Sequence, residues 1–144
     1  MESVRKPDAR GPGPLVVAVA GSSGTGKTTL LEAVLPRLRA TGLAVGLIKH
    51  AHHAFDPDLP GKDSHRLRHA GAGRVVVASA RRRACFRETP EETAPPGLAE
   101  LVAELGTEGL DLMVAEGFHA APVPRLVVHR AERGAPRTDP GEPG

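Results

Sequence analysis

Gly21-Ser22-Ser23-Gly24-Thr25-Gly26-Lys27-Thr28 follows the pattern G-x-x-x-x-G-K-T, a spacing that can hold a phosphate chain. Glycines let the backbone curl until successive N–H groups face one anion. A helix starting at the lysine adds its positive N-terminal end to the same point. Lys27 is then in reach of the β- and γ-phosphates, and the Thr28 hydroxyl is placed to ligate Mg²⁺. Gly21, Ser22, Ser23, Gly24, Thr25, Gly26, Lys27, Thr28 and Thr29 form the nucleotide-binding set expected from this stretch. The alternative is a glycine-rich strand–helix turn that binds nothing.

A nucleotide-bound Mg²⁺ takes oxygen ligands from one or two carboxylates beside phosphates and water. Asp111-Leu112-Met113-Val114-Ala115-Glu116-Gly117 reads as a strand with an acid at each end. Glu116 closes it, at the end where a parallel sheet collects ligands, and is expected to act on Mg²⁺ directly or through water. Asp111 opens it, roughly 16 Å away, and is expected to face solvent or cap the preceding turn. The plainer reading of Glu116 is a solvated acid before a turn glycine. Lys49-His50-Ala51-His52-His53 leaves the same end of another strand, with Asp56 and Asp58 following. Lys49 is placed to neutralise phosphate charge, and Asp56 or Asp58 to hold an attacking water or Mg²⁺. Asp56 is taken as the water-side acid and Asp58 as the metal-side acid, with the choice open. His50 and His52 alternate onto one face if the strand continues, a spacing compatible with two metal-ligand nitrogens. Gly61-Lys62-Asp63-Ser64 resembles a capped helix start, which offers Lys62 and its neighbours as a second anion seat or as ordinary capping. Arg81-Arg82-Arg83 is either a phosphate-clamping lid, a patch for an acidic partner, or a solvated strand edge, and the last is the commonest use of such a run.

Positioning these residues requires strands and helices in alternation. Leu15 to Ala20 is apolar and rich in valine, as a buried parallel strand should be. Leu30, Leu31, Val34, Leu35 and Leu38 mark one face of a helix over 27–41, closed by Gly42. Pro36 inside it removes one backbone hydrogen bond, which predicts a kink or an early 3₁₀ turn. Further elements are a strand over 44–49, a short helix from 63 or 64 to 70, a strand over 74–79, and a hairpin or edge strand within 81–89. A helix from Leu98 to Leu105 and strands over 111–115 and 125–129 complete the set. The pattern predicts an α/β fold with a mainly parallel sheet covered on both faces. Residues 1–14 read as a flexible N-terminus, 15–130 as the nucleotide-binding domain, and 131–144 as a disordered tail.

At 144 residues the length suits one domain. Nineteen basic against seventeen acidic residues leave no global field for nucleic acid, and three Phe without Trp or Tyr provide few stacking platforms. The single cysteine, Cys85, fits a reducing compartment, and no apolar run is long enough to cross a membrane, so a cytoplasmic location is expected. The chain holds no asparagine, which excludes the N-K-x-D signature that many GTPases use to read guanine.

Residues 24–31 (GTGKTTLL), 46–53 (GLIKHAHH), 60–64 (PGKDS), 77–79 (VAS), 88–90 (ETP) and 111–118 (DLMVAEGF) together resemble the MobB family, the molybdopterin-guanine dinucleotide biosynthesis adaptor proteins. The resemblance covers about residues 15 to 130 in order, and the K-H-x-H-H…G-K-D-S loop carries most of its specificity. It implies a P-loop GTPase-like three-layer fold, binding of GTP with Mg²⁺, and weak GTP hydrolysis. It further implies assistance to the MobA-type guanylyltransferase that joins GMP to molybdopterin, homodimerisation, and an accessory rather than strongly catalytic role. Such proteins carry a basic residue after Glu-Gly-Phe, where this chain has His119. They also continue beyond 129 with another strand and helix, where residues 131–144 read as a tail, leaving a sheet edge for a second subunit to cover. Two other functions use the same residues: a small-molecule kinase with the arginine run as lid, and a nucleotide-gated metallochaperone using the histidine loop.

Overall fold

The computed structural model describes residues 13–51, 55–89 and 94–130, which fall into two compact units. Residues 13–51 with 96–130 make one unit, and residues 55–89 with 94–95 the other.

The first unit is built on a four-stranded sheet of β1 (Leu15–Ala20), β2 (Val45–Lys49), β5 (Leu112–Glu116) and β6 (Arg125–Val127) in the order β2-β5-β1-β6. All three pairings are parallel. β5 has the deepest place, and its sequence shows why: Met113, Val114 and Ala115 are apolar without alternation, as burial on both faces demands. Because side chains alternate along a strand, β5 sends Met113 and Ala115 to one face and Leu112, Val114 and Glu116 to the other. On the first face Met113 and Ala115 cluster with Ile48, Phe118 and Leu98 of α3 (Leu98–Leu105), with Leu101 and Val102 packed alongside. On the second, Val114 and Val19 pack with Leu31 of α1 (Lys27–Ala40), joined by Leu35. Helices therefore cover both faces, as the sequence pattern predicts.

α1 runs as one α-helix through Pro36, so the early 3₁₀ turn expected there does not occur. It closes with a paired turn in which Gly42 N–H donates to Arg39 O at 2.9 Å and Leu43 N–H to Leu38 O at 3.3 Å, satisfying two of the last carbonyls. Asp111 lies just outside β5 and accepts a hydrogen bond from the Ala44 amide at 2.9 Å, capping the entry to β2. Among the described residues β6 is an edge of the sheet.

The second unit consists of α2 (Asp63–His69) and a hairpin of β3 (Arg74–Ala78) with β4 (Arg83–Arg87). β3 does not belong to the parallel sheet as strand–helix alternation suggests; it pairs antiparallel with β4. The physical reason is the connection. Only residues 79–82 separate the strands, a loop too short for a parallel crossover and cheap to close as a hairpin. Ser79 organises that turn: its amide donates to Arg82 O at 2.8 Å, and its hydroxyl accepts from the Arg82 amide at 3.1 Å. Arg81 and Arg82 sit at this tip and Arg83 opens β4, all exposed, which matches the solvated edge among the readings of the run. Among the described residues no helix is long and apolar enough to cross a membrane.

Candidate functional site

The glycine-rich loop expected to hold phosphate joins β1 to α1. Its first residue, Gly21, has φ of 143°, and a Cβ there would stand 2.4 Å from the backbone oxygen of Val128. Only glycine fits between the departing chain and the segment after β6. Inside the loop, Thr25 donates from its amide at 3.3 Å and its hydroxyl at 2.8 Å to Ser22 O, closing a tight turn. Lys27 folds over this turn, its Nζ donating to Gly21 O at 2.7 Å and Ser22 O at 3.0 Å. The ammonium is thereby held above the loop rather than loose in solvent. α1 begins at Gly26 with no side-chain cap and no acid in its first turn, so its positive end is not neutralised from within. Thr28 and Thr29 are exposed in that first turn.

β5 supplies the acid. Its register pairs Glu116 with Val19 on one side and with Lys49 on the other. Val19 precedes Gly21 by two residues, and neighbouring strands lie about 4.8 Å apart. Glu116 therefore ends its strand at the carboxyl edge from which the phosphate loop departs. Alternation also gives it the face covered by α1, the helix the loop leads into. Glu116 is nearly buried, at 9% exposure. Its carboxylate lies 3.4 Å from Lys49 Nζ, a half-exposed ammonium on the adjacent strand. Lys49, expected on phosphate, is paired with Glu116 instead, although its exposure leaves it free to re-pair. The backbone fixes this corner. His50 N–H donates to Glu116 O at 3.0 Å, and Gly117 N–H to Val19 O at 3.2 Å. Gly117 takes φ of 93°, and a Cβ on it would come within 3.2 Å of His50 Cβ. Glu-Gly is thus a unit in which the glycine lets the chain turn under His50 while the acid keeps its place. The His50 ring meets Phe118 edge to face at 5.6 Å, so it is packed rather than projecting. His52 and His53 lie outside the described residues.

The remaining expected site residues belong to the second unit. Lys62 is exposed and forms the N-cap position of α2 without capping it by side chain, and Ser64 lies in the first turn of that helix. Its hydroxyl donates to Asp58 Oδ1 at 3.1 Å, and that same oxygen accepts the Leu59 amide at 3.0 Å. Arg68, which the sequence reading does not single out, organises both acids. Its Nη1 and Nη2 make a two-pronged contact with Asp56 Oδ1 and Oδ2 at 3.0 and 2.9 Å, while Nη1 lies 3.6 Å from Asp58 Oδ2. Its Nε donates to Glu88 Oε1 at 2.9 Å, and its guanidinium carbon stacks 4.6 Å from the Phe86 ring centre. The available signal was two acids in a turn-forming segment ahead of a basic helix. What hides it is distance along the chain, since Arg68 is twelve residues from Asp56 and twenty from Glu88.

The hydrogen bond from Arg68 holds the Asp56 carboxyl far below its ordinary value of 3.8, helped by the Asp58 amide and opposed by partial burial. A carboxyl lowered on folding adds stability above its unfolded value, and that stability is lost as pH falls towards the depressed one. Acidification below 3.8 should therefore loosen the second unit, and Asp56→Asn should lose this part of the acid sensitivity. Thermal midpoints of both proteins against pH check this; parallel curves would show that Asp56 contributes nothing.

With this geometry in place, relatives are informative. The family model for "Molybdopterin guanine dinucleotide synthesis protein B" (MobB) matches residues 16–142. The chain belongs to the MobB family. It is 46% identical over 119 residues to the Escherichia coli K12 molybdopterin-guanine dinucleotide biosynthesis adapter protein, covering 83% of this chain and 67% of that one. The Haemophilus influenzae protein of the same name is 40% identical over 121 residues, covering 84% and 66%. The chain thus spans about two thirds of the length of these curated relatives. A crystal structure of molybdopterin-guanine biosynthesis protein B aligns with TM-score 0.60 at 33% identity, over 78% of this chain and 68% of that one. Bacillus subtilis MobB aligns with TM-score 0.59 at 31% identity, over 81% and 68%. The MobB match extends to residue 142, into the segment read from sequence as a tail, which lies outside the described residues.

Proposed function

We propose that this MobB-family chain is an adapter of molybdopterin guanine dinucleotide biosynthesis that binds GTP with Mg²⁺ and assists the guanylyltransferase that attaches GMP to molybdopterin. The observation carrying this reading is the placement of Lys27, after the loop leaving β1, and of Glu116, ending the neighbouring strand β5, at one carboxyl edge of a parallel sheet. The residues fit a magnesium–triphosphate. Uncapped helix amides and an ammonium suit the phosphates, and a hydroxyl from Thr28 with a nearly buried carboxylate from Glu116 suits the hard cation. Bound Mg²⁺ would neutralise phosphate charge. Lys27 would hold phosphate oxygens, and Lys49 would release Glu116 towards the cation and turn its own charge to the anion. Asp56 and Asp58 act in this reading by ordering the segment around α2 through Arg68, more than by meeting the attacking water or the Mg²⁺ themselves. A site built of binding groups suits a switch with slow hydrolysis better than rapid turnover.

Calorimetric titration of GTP and of ATP, each with and without Mg²⁺, tests the assignment. GTP should bind, and more tightly with Mg²⁺; binding of neither nucleotide would reject it, and clear preference for ATP would favour a kinase. Glu116→Gln keeps the shape and removes the charge. The gain in GTP affinity given by Mg²⁺ should shrink by roughly tenfold, the scale of one charge-assisted contact. An unchanged Mg²⁺ effect in that variant would take Glu116 out of the metal site.

A further inference from the structure

We propose that Asp56, His65 and His69 form a binding site for one Zn²⁺ ion. His65 and His69 stand one turn apart on α2, so both rings leave the same face of the helix. Their ring centres are 4.2 Å apart. The Nε2 atom of each lies 3.6 Å from the same oxygen, Asp56 Oδ2, and the three ligand atoms are all within 4.8 Å of one another.

The separation of 3.6 Å is too long for a hydrogen bond. It is close to the span of two ligands sharing one ion: bonds of about 2.0–2.1 Å at a tetrahedral angle put ligand atoms roughly 3.3–3.4 Å apart. His69 is the most exposed of the three, at 62% of its side chain, and has room for the remaining adjustment. The carboxylate is already aimed. Arg68 grips both oxygens, and the Asp58 amide donates to Oδ1 at 3.0 Å, so among the described residues Oδ2 has one hydrogen-bond donor and a lone pair to spare. Metal-ligating carboxylates are oriented by outer partners of this kind. Arg68 is itself fixed, its side chain 8% exposed between Glu88, Asp56 and the Phe86 ring. Two imidazole nitrogens with one carboxylate favour zinc over magnesium or calcium, which prefer oxygen. Three protein ligands leave one position for water or an outside group. The Arg68 charge beside Oδ2 weakens the site, so binding in the micromolar range is expected rather than the much tighter affinity of structural zinc. An ion held here ties the segment at Asp56 to α2. This site is separate from the nucleotide reading and stands or falls without it.

The test is titration of untagged, chelator-treated full-length protein with ZnCl₂ by calorimetry, supported by thermal midpoints. Expected are one equivalent bound and a midpoint that rises with Zn²⁺. His65→Gln and His69→Gln should each weaken binding by at least about tenfold and abolish the rise, with circular dichroism unchanged. The His50→Gln/His52→Gln/His53→Gln triple variant should bind like the original protein. No stoichiometric binding, binding indifferent to both helix substitutions, or binding lost in the triple variant would each overturn the proposal. The first outcome would leave the two histidines as simple ion-pair partners of Asp56.

Discussion

Replacing Lys27 by alanine should weaken GTP binding by at least about a hundredfold, on the order of 3 kcal/mol, at unchanged secondary structure. The size follows from what is removed. A primary ammonium in contact with phosphate oxygens contributes charge-assisted hydrogen bonds of about 1.5–3 kcal/mol each. Lys27 also donates to Gly21 O and Ser22 O, so the variant loses two internal contacts of the loop. These are replaceable by water, because the loop around Ser22 is exposed. The effect should therefore fall on affinity and barely on the thermal midpoint. Micromolar GTP binding retained by Lys27→Ala would reject the nucleotide site, and loss of the fold would mean that the lysine acts through the loop's integrity.

Gly21→Ala should be the most damaging change of one methyl group in the chain's first unit. The new Cβ would stand 2.4 Å from Val128 O and 3.0 Å from Thr25 Oγ1, at a φ of 143° that side chains rarely adopt. Val128 cannot step aside cheaply, since its amide donates to Ala20 O at 2.8 Å and closes the pairing of β6 with β1. Backbone strain of about 1–3 kcal/mol plus overpacking of similar size gives a loss of roughly 2–6 kcal/mol. For a domain of this size that is a fall of roughly 5–20 °C in thermal midpoint. GTP affinity should fall with it, because the loop and the end of the sheet must separate to admit the methyl group. An alanine variant with the original midpoint and affinity would show that the loop start is looser than its contacts imply.

Residues close in sequence made much of the site legible in advance. The strand, loop and helix from Leu15 to Ala40 form one continuous stretch, and apolar runs, glycines and the lysine reveal it without help from the rest of the chain. Glu116 was reachable because parallel sheets gather ligands at their carboxyl ends, which separates it from Asp111 at the opposite end of the same strand. Lys49 was placed at the correct strand end, but its ion pair with Glu116 was not foreseen. A sequence does not say that β5 inserts between β1 and β2 and brings Glu116 directly opposite that ammonium.

By itself the sequence determined the secondary structure, the glycine-rich turn between β1 and α1 that ends at Lys27, the acid at the sheet's edge and the likeness to MobB proteins. All of these depend on local spacing or on the two-residue period of a strand. Only the tertiary structure decided the strand order, the withdrawal of β3 and β4 into their own hairpin, and the Arg68 cluster with Asp56, His65 and His69 beside it. Those features arise from contacts between distant residues, chosen by which arrangement buries most apolar surface and satisfies most buried charge. A one-dimensional pattern carries no direct record of that competition.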